Sequence, residues 1–173
     1  MSDINKVLII GCPGSGKSTM AKKVAEITKW PLLHLDVIYH IDNYHQISKE
    51  ELQSKISDFI KGKSNFIIDG NYSATLPMRM EMADTIVMFD LDTDTCMRNV
   101  LNRIASNQPR DDIAPGFDNT IYHQDFIDYV KDFREERLPY IEELISEFPG
   151  TIIRINSYED ADDFIEFLRK NIA

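Results

Sequence analysis

Apolar positions along the chain fall into two alternating rhythms. Short continuous runs such as Lys6-Val7-Leu8-Ile9-Ile10, which stops at Gly11, predict strands buried on both faces. Longer stretches repeat apolar residues every three or four positions and predict amphipathic helices. The pattern predicts a strand over 6–10, a helix over 18–28 with Met20, Ala21, Val24 and Ile27 on one face, and a strand over 32–35. A helix over 48–61 follows, with Leu52, Ile56, Phe59 and Ile60 apolar and with Ser48 and Glu51 spaced as a capping box. Strands are predicted at 66–68, ending on Asp69-Gly70, and at 85–91; a helix over 95–105 carries Cys96, Val100, Leu101 and Ile104 on its apolar side. Residues 121–148 have helical period and hold Pro139, which must kink that helix or begin a second one. A strand over 151–155 and a helix over 161–171 complete the order. Such β-α alternation predicts an α/β fold, with a parallel sheet, right-handed crossovers and helices on both faces.

Residues 106–120, SNQPRDDIAPGFDNT, break the rhythm. Their prolines, glycine and aspartates read as an exposed loop. Without a linker or repeat, residues 1–173 read as a single domain, and the loop as a lid upon it.

Composition narrows the function classes. Nineteen basic against twenty-nine acidic residues give a net charge of −10, which counts against direct nucleic-acid binding, where Lys and Arg must neutralise phosphates. No apolar run approaches the roughly 18 residues of a membrane span, and MSDINKVLII lacks the pattern of a secretory leader. Cys12 and Cys96 are too few for a disulfide framework. The expectation is a cytoplasmic protein that engages neither membrane nor nucleic acid; its oligomeric state is left open.

The most informative segment is Gly11-Cys12-Pro13-Gly14-Ser15-Gly16-Lys17-Ser18, which fits G-x-x-x-x-G-K-[ST] between a strand and a helix. Glycines let successive N–H groups turn into one hollow, and the following helix adds the positive end of its dipole. Lys17 is placed to reach the outer phosphates, Ser18 to ligate Mg²⁺, and Thr19 to face the inner phosphates. Cys12 is read as a tolerated small residue, although the nearby helix end favours a lowered thiol pKa. No N-K-x-D element and no strand ending in Asp-Glu accompany the loop, which leaves a compact phosphotransferase with a small-molecule acceptor. Asp36 and Asp69 are expected at the carboxyl ends of the second and third strands, where ligands bind in open parallel sheets. Asp69 is the candidate to hold Mg²⁺, and Asp36 the candidate to position or deprotonate a hydroxyl.

Arginine is absent before Phe66, where nine lysines supply the basic charge. Between Asp69 and Leu138 the bias reverses: Arg79, Arg98, Arg103, Arg110, Arg134 and Arg137 stand against Lys131 alone. Forked guanidinium groups suit a phosphate clamp. Those flanking 106–120 are read as a lid that closes on a moving phosphoryl, with Arg79, Arg134 and Arg137 toward the acceptor.

Together, GCPGSGKST, LLHLD, IIDGNYS and RINSYEDADDFIEFL resemble the bacterial topology modulation proteins, P-loop proteins related to adenylate kinase. The resemblance covers nearly the whole chain. It implies a nucleoside-monophosphate-kinase-like fold, with a five-stranded parallel sheet in order 2-3-1-4-5. It implies ATP and Mg²⁺ at Gly11 to Thr19, adenine near Asn156 and Ser157, and an acceptor near Gly70, Asn71 and Tyr72. Arg98 and Arg103 fall near the pre-lid arginines of adenylate kinase, and Arg110-Asp111-Asp112 resembles its post-lid run. One departure stands out: residues 37–64 contain no arginine to hold a monophosphate. Tyr39, His40, Asp42, Tyr44 and His45 are there instead, expected to line a pocket for a different acceptor. As a metal motif His40, Asp42 and His45 are weakly spaced, and the histidines are read as solvated. The expected function is transfer of the ATP γ-phosphoryl to a small acceptor; the alternative is an ATP-responsive binding module with little turnover.

Overall fold

A run with branched apolar side chains on both faces has to lie in the middle of a sheet, and Val7, Leu8, Ile9 and Ile10 are all fully buried. The computed structural model describes residues 4–118, 121 and 123–172. In it β1 (Lys6–Gly11) pairs in parallel with β3 (Phe66–Asp69) on one side and β4 (Thr85–Phe89) on the other. Outside these lie β2 (Leu32–His34), beside β3, and β5 (Thr151–Ile155), beside β4. The order is β2-β3-β1-β4-β5, all parallel, as the resemblance implies. β3 and β4 are buried throughout, whereas edge strand β5 exposes Arg154, which pairs with Glu142 at 2.7 Å.

Eight α-helices are described: α1 (Lys17–Thr28), α2 (Leu35–Tyr39), α3 (Lys49–Ile60), α4 (Leu76–Met82), α5 (Thr93–Ser106), α6 (Gln124–Asp132), α7 (Leu138–Ser146) and α8 (Tyr158–Asn171). α1 packs on α8 and α5 on α6. The caps follow the sequence: Ser48 accepts from Glu51 N–H at 3.1 Å, Asp92 from Thr95 N–H at 2.8 Å, and Ser157 from Asp160 N–H at 3.1 Å.

The structure departs from expectation in four places. Leu35 and Asp36 open the short helix α2 and do not end β2. Residues 73–82, left without structure by the periodicity, form a 3₁₀ turn (Ser73–Thr75) and α4. Leu101, assigned to the apolar side of α5, is 45% exposed. Pro139, by contrast, begins a second helix as expected: it sits in the first turn of α7, behind a π turn at Phe133–Arg137. The segment read as an exposed loop buries Asp112, Ile113 and Ala114. It docks at both ends of its described part: Asp111 pairs with Lys22 of α1, and Asn43 donates to Asp118 C=O at 2.9 Å. Residues 119 and 120, the end of the expected lid, lie outside the described residues.

Candidate functional site

Three of the longer helices carry side-chain caps, but α1 does not. Its N-cap is Gly16, with no side-chain bond, and its first turn holds no acid. Its first N–H groups are therefore left for an anion. Gly16 adopts φ 102°, in the left-handed region, and so turns the loop into the helix. At Gly14, also at positive φ, a Cβ would overlap the Cys96 carbonyl oxygen of α5, so only glycine lets the loop lie this close. Asn71 pins the loop's entry: its side chain accepts from Gly11 N–H at 2.8 Å and donates to Gly11 C=O at 2.7 Å. Asn99 pins the far side by donating to Gly14 C=O at 2.8 Å and to the Tyr158 hydroxyl at 2.7 Å. Lys17 Nζ donates to Cys12 C=O at 2.8 Å. Burial pulls its pKa down, against the pull of the Asp69 carboxylate. The Cys12 thiol is pushed up rather than lowered, by its hydrogen bond with Cys96 and by burial.

At the start of α1, Ser18 Oγ donates to Asp69 Oδ2 at 2.7 Å, and His34 Nδ1 lies 2.7 Å from the same oxygen. His34 and Asp69 are register partners across β2 and β3, so the neighbouring strand ends bring them side by side. Asp69 Oδ1 is buried without a partner among the described residues. A hydroxyl and a carboxylate with a free oxygen, next to an anion cradle, form a hard-oxygen set that fits Mg²⁺. Asp112 is forked by Arg110 at 2.9 and 2.7 Å. Burial raises its pKa, but Arg110, then Lys22 and Ser18, outweigh that and hold the carboxyl well below its usual range.

Asp36 lines the same cavity and accepts from the Tyr72 hydroxyl. Burial, then the Asp36 charge, pushes the Tyr72 phenol up, so the proton stays on the phenol. His40 Nε2 lies 3.4 Å from that hydroxyl, and burial lowers the His40 pKa. The rings of Tyr39 and Tyr72 are 4.6 Å apart, and those of His40 and Phe117 5.1 Å. Tyr39 and His40 thus line the cavity, while Tyr44 and His45 are exposed; His45 pairs with Asp42 at 2.8 Å. Among the described residues no group of three or more His, Cys, Asp or Glu side chains is placed to hold a metal.

The arginines divide. Arg103, Arg110 and Arg137 line the cavity, whereas Arg79, Arg98 and Arg134 do not. Arg79, placed at the acceptor by sequence, is 1% exposed and engaged beneath the loop after β3. It donates to Gly70 C=O at 3.0 Å, to Tyr72 C=O at 3.3 Å, to Asn71 C=O and to Thr75 Oγ1 at 3.2 Å. Burial lowers its pKa to about 9, which leaves it charged at neutral pH. Arg98 is exposed and bonds Thr95, one turn back on α5; Arg134 pairs with Asp90 at 2.7 Å. Arg103 is lowered to about 10 by burial, then by Arg110, and also feels Asp112 and Asp36. Asn156 and Ser157 form the turn and cap into α8, bonded to Asp160; Tyr158, Ala161 and Asp162 are the neighbouring residues on the cavity.

The phosphate loop, the Asp36 and Asp69 carboxylates and three of these arginines line one cavity of about 1270 Å³. Gly70, Asn71 and Tyr72 line it with Asp36 and Asp69, as do Pro13 through Thr19. Sequence reasoning missed His34, Asn99, Phe117, His123, Tyr129 and Tyr158. Only His34 carried a signal, as the polar end of a strand beside the Asp69 strand. Four buried polar side-chain atoms lack a partner among the described residues: Ser15 Oγ, Asp69 Oδ1, His40 Nδ1 and His123 Nε2. All four residues line this cavity. Unsatisfied buried polar atoms are costly, and their gathering in one place marks a ligand site.

A parallel sheet in this order, with a glycine loop at the start of α1 and a Ser-Asp pair behind it, defines a P-loop NTPase fold with the architecture of small-molecule kinases. Residues 7–107, from β1 through α5, match the ATPase family associated with various cellular activities (AAA), and the chain belongs to that family. Among solved structures it is similar to shikimate kinase from Bacteroides thetaiotaomicron, at 14% identity and TM-score 0.58, over 97% of this chain and 98% of that one. A gluconokinase from Sinorhizobium meliloti 1021 is similar at 11% identity and TM-score 0.56, over 96% and 94%. A sugar kinase from Janibacter sp. HTCC2649 is similar at 13% identity and TM-score 0.53, over 99% and 96%. At these identities the likeness is one of fold. No curated protein matches the sequence. Among the described residues no helix is long and apolar enough to cross a membrane.

Proposed function

We propose that the protein is a phosphotransferase that moves the γ-phosphoryl of ATP to a hydroxyl of a small molecule. The observation that carries this is the company kept in one cavity: an uncapped phosphate loop with Lys17, Ser18 and Asp69, and with them Asp36 bonded to Tyr72. The loop amides and Lys17 hold the β- and γ-phosphates. Magnesium, held by Ser18 and Asp69, supplies charge neutralisation of the phosphate oxygens. Asp36 orients the acceptor hydroxyl and takes its proton as the new P–O bond forms. The bond from the γ-phosphorus to the bridging oxygen breaks, and ADP leaves with its electron pair. Arg103 and Arg110 stabilise charge on the phosphoryl in flight. Lys17 gives up its bond to Cys12 C=O when the phosphates arrive.

The four segments that resemble the topology modulation proteins supply the phosphate loop, the approach to Asp36, the wall at 69–73 and the α8 edge of this cavity. That supports placing the chain beside them. A coupled ADP-release assay with Mg²⁺ and a panel of hydroxyl acceptors tests the function. Strong acceleration by one acceptor, abolished by Lys17→Ala, is expected. Tight ATP binding with no acceptor effect would instead identify a nucleotide-responsive binding module.

A further inference from the structure

We infer that the acceptor is an uncharged, ring-bearing molecule that offers a hydroxyl to Asp36, and that phosphorylated or carboxylated acceptors are disfavoured. The inference rests on the phosphotransferase reading and names the substrate class of the same site.

Charge is the first argument. A second anion bound beside ATP needs its own cation, and Arg79 and Arg134, which the sequence places toward the acceptor, are engaged elsewhere. Arg79 is spent on backbone carbonyls and Arg134 on Asp90, while Arg137 lies over the Tyr129 ring at 5.5 Å. Arg110, nearer the phosphates, is forked by Asp112. Residues 37–64 contain no arginine, and none of their lysines lines the cavity. Asp36, Asp125 and Glu136 line the cavity, and of the arginines there Arg103 already feels the Asp112 and Asp36 carboxylates.

Hydrogen bonding is the second. Asp36 and the Tyr72 hydroxyl share the cavity with two imidazole nitrogens that have no partner among the described residues, His40 Nδ1 and His123 Nε2. An imidazole nitrogen exchanges hydrogen bonds with hydroxyl groups, and the burial that lowers the His40 pKa makes that ring a poor counter-ion for phosphate. Shape is the third. Tyr39, His40, Tyr72, Phe117 and Tyr129 line the same part of the cavity, and such aromatic walls suit the flat or apolar face of a ring. A nucleoside and a neutral sugar share this chemistry.

The test is phosphoryl transfer from γ-labelled ATP with Mg²⁺ by the full chain, using acceptors paired by charge. One arm sets adenosine, cytidine, guanosine and uridine against their 5′-monophosphates; the other sets glucose against gluconate and ribose against ribose 5-phosphate. The neutral member of at least one pair is expected to show kcat/KM about tenfold or more above its charged partner, and the arm in which this occurs identifies the source of the ring. Asp36→Asn is expected to lower that rate about a hundredfold, with MgATP affinity by calorimetry unchanged. Preference for the charged member of the pairs overturns the inference and leaves the phosphotransferase reading standing. So does a chain that binds MgATP and serves neither neutral series. No calorimetric MgATP binding overturns the phosphotransferase reading itself.

Discussion

Replacing Arg79 with methionine removes a forked cation that closes the loop after β3 from beneath. Its guanidinium serves the carbonyls of Gly70, Asn71 and Tyr72 and the hydroxyl of Thr75, with 1% of the side chain exposed. Hydrogen bonds from a charged donor contribute about 1.5–3 kcal/mol each, and a buried acceptor stripped of its donor costs about 1–3 kcal/mol. Methionine recovers the desolvation cost of the buried charge and fills much of the volume, which offsets part of the loss. A net destabilisation of about 3–5 kcal/mol is expected, or roughly 10 °C in Tm for a chain of this size. Lysine, a point charge without the fork, should rescue less than half. Urea denaturation followed by circular dichroism, beside a thermal scan, measures both variants. Since Asn71 also grips Gly11, MgATP affinity should fall with stability. A methionine variant that melts within about 2 °C of the parent while the acceptor KM rises severalfold would refute this reasoning and return Arg79 to the ligand.

Other perturbations probe the remaining contacts. Lys17→Ala should leave folding intact and reduce MgATP binding below calorimetric detection, since the loop's one buried ammonium is lost. Asn71→Ala removes both bonds to Gly11 and should cost about 1–3 kcal/mol, with weaker MgATP binding read by the ligand-induced rise in Tm. Gly14→Ala drives a Cβ into the Cys96 carbonyl and should lower Tm by several degrees while abolishing nucleotide binding. Asp112 has a folded pKa below its unfolded value, so its stabilisation is fully present above the ordinary aspartate value of about 4 and is lost as pH falls toward the folded pKa. The stability gap between parent and Asp112→Asn, measured in urea, should therefore be largest near neutrality and narrow from pH 5 to pH 3.

Much of this molecule can be read without coordinates, because continuous apolar runs and helical periodicity are local properties. The buried run at 6–10, the strand at 66–69 and the loop at 11–18 all follow from adjacent residues. So does the capping of α3, where Ser48 and Glu51 lie within one turn of each other. Even the gap in arginine over 37–64, which bears on the acceptor, is a plain count.

What the chain alone leaves open is which groups are already committed. Arg79 reads as a phosphate ligand until the fold tucks it under Gly70, and Ser157 reads as an adenine contact until Asp160 makes it a cap. Asp36 reached the cavity on α2, and His34 came beside Asp69 only through the lateral pairing of β2 with β3. The lid looked exposed because its composition is polar, yet Asp112 is buried by an arginine two residues away and by Lys22 and Ser18 of a distant helix. Local pattern sets which segments become strands and helices. The partners of a charge are chosen across the chain by proximity, and only the folded arrangement decides which cations and carboxylates remain for a ligand.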